Sequence, residues 1–224
     1  MEIDTLCPMG FGLFRYREID FGLFGLCDSN GKRITSCKYS LIIRFDESTR
    51  LAPVERGGNW GYINTQGEEV IGCMFESVAD SFYNGLAAFK NCGLYGFFDR
   101  YSNVKINRQF EDIGSEPFKN CDIACVKKNG KWGAINTSGQ TVIPFRYSHL
   151  GFSDNDILCY EEEKGLFFTS KKYGLMSPSG RLITEAKYDG ITYFHSNGKA
   201  GFKRGVIRGY LDKYGNESNV REGL

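Results

Sequence analysis

Apolar and polar positions recur along this chain in one arrangement, used six times. Each copy centres on a glycine: Gly25, Gly61, Gly96, Gly133, Gly174 and Gly209, separated by 36, 35, 37, 41 and 35 residues. Immediately before the glycine stand Phe24, Trp60, Tyr95, Trp132, Tyr173 and, in the last copy, Arg208. Two residues after it stand Cys27, Ile63, Phe98, Ile135, Met176 and Leu211. This spacing has period two and predicts a strand, with the preceding and following residues on one face and the glycine on the other. The glycine leaves a gap on its own face, where a neighbouring backbone or ring can approach closely.

The residues that follow predict a hairpin. Asp28, Asn64, Asp99, Asn136, Ser177 and Asp212 stand three after the anchor, and Gly31, Gly67, Ser102, Gly139, Gly180 and Gly215 six after it. An Asp or Asn whose oxygen accepts turn N–H groups, closed three later by a left-handed residue, is a common hairpin loop. A catalytic acid is needed once, not six times, so these carboxylates read as turn residues. The returning strand carries Ile34, Val70, Val142 and Ile183. Beyond it come an aromatic (Tyr39, Phe75, Phe110, Tyr147, Tyr188), an aliphatic (Ile42, Val78, Ile113, Leu150, Ile191) and a phenylalanine (Phe45, Phe82, Phe118, Phe152, Phe194). These read as core rungs, one set per copy; an exposed ladder stacking sugars or bases is the competing reading. A further strand precedes each anchor, including Leu51–Val54, Gly85–Phe89, Ile123–Val126 and, in the fifth copy, Leu166–Phe168. Each unit is then an antiparallel meander of three strands, with room for a short fourth between the aromatic and aliphatic rungs.

A fixed period of this length marks a repeat architecture whose units bury apolar faces against their neighbours. The expected fold is all-β: about six meanders of about 36 residues in one domain spanning residues 1–224. The 41-residue step between Gly133 and Gly174 favours an open or incompletely closed, solenoid- or propeller-like array over a regular ring. The first copy reads as lacking a preceding hairpin, and Asn219-Val220 reads as a poor returning strand in the last.

The segment KNGKWGAINTSGQTVIPFRY, Lys128 to Tyr147, resembles the WG (KWG) β-repeat family, with its Trp-Gly pair, Asp/Asn turn and Val-Ile-Pro strand. The likeness runs from about Leu13 to Tyr214, close at Trp60-Gly61 and Trp132-Gly133 and looser at Tyr95-Gly96 and Tyr173-Gly174. The resemblance implies a binding array, found mainly in bacteria, with no catalytic residues to carry over.

Composition narrows the function. Twenty-eight Lys and Arg balance 27 Asp and Glu, a net charge of +1, which argues against a nucleic-acid or membrane-surface partner. Lys127-Lys128 and Lys171-Lys172 read as solvated turn residues. No stretch approaches the roughly 20 apolar residues of a membrane span. The N-terminal MEIDTLCPMG is not a secretory signal. Eight cysteines form no C-x-x-C pair, and Cys27, Cys37 and Cys73 occupy positions that hold Ile, Phe, Met or Ala in other copies, as free thiols in a reducing cytosol would. Neither metal nor cofactor is expected, and His149 and His195 read as core or surface residues. No nucleophile elbow, P-loop or zinc-protease motif is present.

The expected function is therefore a non-catalytic, cytoplasmic protein-binding module, such as a toxin-neutralising immunity protein or an assembly adaptor. Its candidate partner-binding residues are Asp154, Asp156, Glu161, Glu162 and Glu163, read as an acidic inserted loop suited to a basic partner. The alternative is glycan or cell-wall binding through the aromatic ladders.

Overall fold

The computed structural model of the chain describes residues 3–18, 22–119, 121–154, 156–165 and 170–222. Their regular structure is all β, in six antiparallel sheets that do not close on themselves. The chain divides into two compact units, residues 1–109 and 110–224.

In the first unit, β1 (Ile3–Gly10), β2 (Leu13–Glu18) and β3 (Phe24–Asp28) form a three-stranded sheet. The next sheet contains β4 (Leu41–Ile42), β5 (Leu51–Arg56), β6 (Asn59–Asn64) and β7 (Glu69–Phe75). It is followed by β8 (Ser77–Val78), β9 (Leu86–Asn91), β10 (Leu94–Asp99) and β11 (Val104–Phe110).

The second unit opens with β12 (Asp112–Ile113), β13 (Ile123–Lys128), β14 (Lys131–Asn136) and β15 (Thr141–Tyr147). A three-stranded sheet follows: β16 (His149–Asp154), β17 (Ile157–Lys164) and β18 (Ser170–Met176). The last comprises β19 (Gly190–Ile191), β20 (Lys199–Arg204), β21 (Ile207–Asp212) and β22 (Glu217–Glu222). Sheets and sequence copies are out of phase, because the short strand ending one copy pairs forward onto the next.

The anchor glycines explain why the sheets pack as they do. A methyl group on Gly61 would stand 2.4 Å from the Ile71 carbonyl oxygen, and one on Gly133 2.7 Å from that of Ile143. Opposite these glycines the returning strands β7 and β15 are bulged, and the bulged backbone fills the gap. Gly25 and Gly174 solve the same problem differently. Their cross-strand partners are Tyr16 and Tyr160, whose rings would lie 2.6 and 2.5 Å from such a methyl group. The Tyr16 and Tyr160 hydroxyls donate to the carbonyls of Thr35 (2.8 Å) and Thr184 (3.0 Å). Each threonine hydroxyl in turn accepts from an anchor-strand N–H, of Leu26 or Leu175. These two sheets are the ones without a full returning strand. They keep only isolated bridges there.

The hairpin turns form as expected. Asp28, Asn64, Asp99, Asn136 and Asp212 each accept two backbone N–H bonds within the turn, and Ser177 accepts one. The closing residue has positive φ in every copy, including Ser102 at 68°. Burial works against charge at Asp99, but hydrogen bonds from Asn103 and Tyr101 outweigh it and hold the carboxyl at about 2. It is a turn acceptor, not a proton donor.

Apolar faces meet between successive sheets. Leu26, Tyr39 and Ile42 pack with Ala52, Val54 and Ile63, and Tyr62 and Phe75 with Phe89 and Phe98. In the second unit, Trp132 and Tyr147 pack with Leu158, Tyr160 and Met176, and Leu175 and Tyr188 with Phe202 and Leu211. Tyr39, Phe75, Phe110, Tyr147 and Tyr188 are buried, as are Phe45, Phe82 and Phe118, whereas Phe152 and Phe194 are half-buried.

Three local expectations are corrected. Residues 157–164 are not a loop but strand β17, hydrogen-bonded on both sides, because Ile157, Leu158, Cys159 and Tyr160 give it apolar residues for both faces. The pre-anchor strand of this copy is therefore β17; Leu166–Phe168 lie outside the described residues. Asn219 and Val220 do belong to a returning strand, β22, which accommodates Asn219 at φ 50° beside a register shift. The first copy does have a preceding hairpin, formed by β1 and β2.

The close approach at Gly61 predicts an asymmetric response to alanine. Gly61→Ala lowers stability by about 1–3 kcal/mol, as expected of an overpacked core. Gly72→Ala, where a methyl group meets only the end of Met74 at 3.4 Å, stays near wild type. Chemical denaturation of the two variants measures the difference.

Candidate functional site

The five candidate acids do not form one surface. Asp154 ends β16 and Asp156 lies in the turn after it, both exposed, whereas Glu161, Glu162 and Glu163 lie towards the far end of β17. At about 3.3 Å per residue, Asp156 and Glu162 are separated by roughly 20 Å of strand. Alternation sends Glu162 to the face opposite Glu161 and Glu163. Glu161 is not available to a partner at all, its side chain being 7% exposed.

Glu161 belongs to a row across the sheet. His149 on β16 is directly opposite Glu161, which is directly opposite Tyr173 on β18. The Lys171 ammonium lies 3.0 Å from the Glu161 carboxylate, and the Tyr173 hydroxyl bonds the same carboxylate. Burial disfavours the Glu161 charge, but the bonds from Lys171 and Tyr173 outweigh it and hold the carboxyl below the usual glutamate range. The row holds a buried carboxylate satisfied by an exposed lysine, with an aromatic on either side.

Beside this row is a cavity of about 500 Å³, lined among others by Trp132, His149, Cys125, Cys159, Tyr173 and Tyr193. It is lined by β16, by Gly114, Ser115 and Pro117 after β12, and by Ile191, Thr192 and Tyr193 at and after the end of β19. His149 stands edge-on to Trp132, with ring centroids 5.5 Å apart. Two glycines keep the space open. A methyl group on Gly151 would stand 3.2 Å from His149 Nε2, and one on Gly114 3.3 Å from Cys125 Cβ. Tyr193, at the rim, is 76% exposed.

The lining carries aromatic, imidazole and thiol groups. Burial pushes the Cys125 thiol up to about 12, and burial together with Glu161 pushes Cys159 up to about 11. A thiol so placed is a small apolar group at neutral pH rather than a nucleophile. Hydrogen bonding to Glu161 and burial raise Tyr173. Among the described residues, no three His, Cys, Asp or Glu side chains are grouped to hold a metal.

In the sequence His149 reads only as a core or surface residue, and nothing there points to this cavity. The copies do differ at these positions: Gly114 and Gly151 stand eighteen residues after consecutive anchors, where the first two copies have Ile43 and Ala79. His149 stands sixteen after its anchor, where the others have Ser40-Leu41, Ser77, Asp112 and Gly190 nearby. The repeat landmarks Trp60, Tyr95, Trp132 and Tyr173 lie on anchor strands, beside Gly61, Gly96, Gly133 and Gly174.

Antiparallel sheets that borrow their first strand from the preceding copy define a β-repeat protein. The chain belongs to the WG containing repeat family, whose model matches residues 24–60, 60–94, 95–132, 132–164 and 173–205. No curated protein matches it in sequence. Among solved structures it is similar to Hsv2p of Kluyveromyces lactis, with TM-score 0.45 and 11% identity over 98% of this chain and 86% of that one. It is also similar to the WD40 domain of Neurospora crassa Pan2, with TM-score 0.40 and 10% identity over 99% of this chain and 78% of that one. A eukaryotic initiation factor gives TM-score 0.49 and 12% identity over 99% of this chain and 66% of that one.

The Glu161 ion pair has a pH signature. Its carboxyl is depressed in the folded chain, so the stability it contributes is present above the unfolded value and lost as pH falls through the glutamate range, about 4.3 and below. Glu161→Gln is therefore less stable than wild type at neutral pH, and the gap closes on acidification. Melting curves of both proteins between neutral and acid pH measure it.

Proposed function

We propose that this chain is a non-catalytic protein-binding module, and that the cavity beside β16 receives a protruding segment of its partner. The observation that carries this reading is the hollow itself: about 500 Å³, walled by Trp132, His149 and Tyr173, with exposed Tyr193 at its lip. Rigid aromatics around a concavity supply contact area at low entropic cost and commonly anchor protein interfaces. The depressed turn carboxylates and the raised thiols support a binding role over a catalytic one, since neither set offers a proton donor or nucleophile at neutral pH.

Glycan binding through the ladders is less well supported, because Tyr39, Phe75, Phe110, Tyr147 and Tyr188 are all buried. Near-neutral net charge supports a partner that is neither nucleic acid nor membrane. Eight unpaired thiols support a reducing, cytoplasmic setting. An immunity protein or an assembly adaptor, each of which works by occupying a protein surface, fits these features.

Trp132 provides the test. The chain has two tryptophans, so Trp60→Phe leaves Trp132, 9% exposed, as the sole reporter in the cavity wall. Affinity capture from native lysate recovers a protein partner, and adding that partner shifts the Trp132 emission. Tyr193→Ala weakens the capture. Recovery of no protein, or a partner that leaves Trp132 emission and the Tyr193→Ala affinity unchanged, refutes the proposal.

A further inference from the structure

The sheet of β19 to β22 carries a charge arrangement that its fold does not need. Lys203, Arg208 and Arg221 stand directly opposite one another on β20, β21 and β22, with Gly190 opposite Lys203 on β19. Adjacent strands lie about 4.8 Å apart, so three cations share a row about 10 Å long. Like charges directly opposite destabilise a sheet. Among the described side chains, the nearby carboxylates are bonded to other groups, although Asp189 also attracts Lys203. Asp189 is bonded to Lys172 and the Gly205 N–H, and Glu217 to Tyr188, Lys187 and Arg204.

The row also stands where every other copy carries an aromatic side chain. Arg208 holds the position of Phe24, Trp60, Tyr95, Trp132 and Tyr173. Two residues on, Tyr210 is 43% exposed, whereas Leu26, Tyr62, Phe97, Ala134 and Leu175 at the same position are all buried. The three cations and Tyr210 line one open groove of about 870 Å³. Its floor is low, because Gly201 is opposite Tyr210 and a methyl group on Gly190 would meet nothing within 4 Å.

We propose that this face docks an extended acidic segment of a partner protein, whose carboxylates neutralise Lys203, Arg208 and Arg221 while one of its apolar residues lies on Tyr210. The proposal rests on the protein-binding reading above and adds the chemistry of the partner. A single phosphate would leave most of the groove and the Tyr210 ring uncovered. A nucleic acid would extend beyond the three cations onto a surface of near-balanced charge. Arginine and lysine bound to carboxylates form charge-assisted hydrogen bonds, which relieve the repulsion within the row.

Fluorescence anisotropy with two labelled peptides tests the site directly: one alternates Glu and Tyr, the other Lys and Tyr. Wild type binds the Glu peptide and not the Lys peptide, and added salt weakens the complex. The double variant Arg208→Ala/Arg221→Ala weakens it by about tenfold or more. Arg208→Tyr, which restores the residue type of the other copies, also weakens binding yet melts at a higher temperature than wild type, so a lost fold cannot mimic a lost site. Equal binding of both peptides, unchanged affinity in the double variant, or full displacement by inorganic phosphate overturns the proposal. So does a wild-type dimer that Arg208→Glu dissociates, which makes a second copy the occupant. If the double variant still captures the lysate partner at wild-type strength, this site fails and the protein-binding reading stands. If the Glu peptide binds here but no protein is captured, the outcome is the reverse.

Discussion

The architecture depends on one missing atom repeated six times, the Cβ of the anchor glycine. A strand without it lets something approach to a distance that no side chain allows, and two kinds of filler are used. Opposite Gly61 and Gly133 the residue on the neighbouring strand is Val54 or Val126, and the gap is filled by the bulged backbone of the returning strand. Opposite Gly25 and Gly174 a tyrosine fills it instead, and its hydroxyl takes the carbonyl that would otherwise join a ladder. At Gly96 and Gly209 a phenylalanine ring, Phe89 or Phe202, shares the gap with the returning backbone, and those sheets, like those of Gly61 and Gly133, have four strands.

The tyrosine-filled copies compensate at the next interface. After Gly25, Tyr39 and Lys38 meet Glu69 of the following copy, which also binds Arg56. After Gly174, Tyr188 and Lys187 meet Glu217, which also binds Arg204. These are the same four residue types at the same positions. Elsewhere a carboxylate reaches forward to cap a hairpin amide of the next copy, Glu76 to Gly93 and Glu111 to Gly130. Hydrogen bonds to ionised groups are stronger than neutral ones, so within each unit these carboxylates add polar contacts to the core packing between copies.

Much of this was legible from the amino-acid order. Period-two spacing around the anchors, the Asx turns and the rungs all report local constraints, in which a residue type is chosen by its own backbone or by its immediate neighbours. The misread segments depend on partners distant in sequence. Residues 161–163, all glutamate, look like a solvated loop, because nothing nearby shows that Lys171 and Tyr173 will neutralise Glu161 inside a sheet. Asn219 looks like a strand breaker until a bulge gives it left-handed backbone. The cavity arises where three sheets meet, and the cation row from the pairing of three strands; neither juxtaposition exists at the level of one copy.

The forward-pairing short strand has a consequence for how such chains change over time. After the first, no sheet here is encoded by one copy alone: β4, β8, β12, β16 and β19 each belong in sequence to the copy before the sheet they complete. A gene duplication cut at the glycine-to-glycine period therefore carries a ready-made edge for whatever copy it lands beside. Recombination can lengthen or shorten the array without inventing a new junction, provided that the acceptor strand keeps a free side. The overlap acts as a splice site written in hydrogen bonds, and it allows ornaments such as the His149 hollow or the Arg208 row to arise in single copies while the joints stay standard.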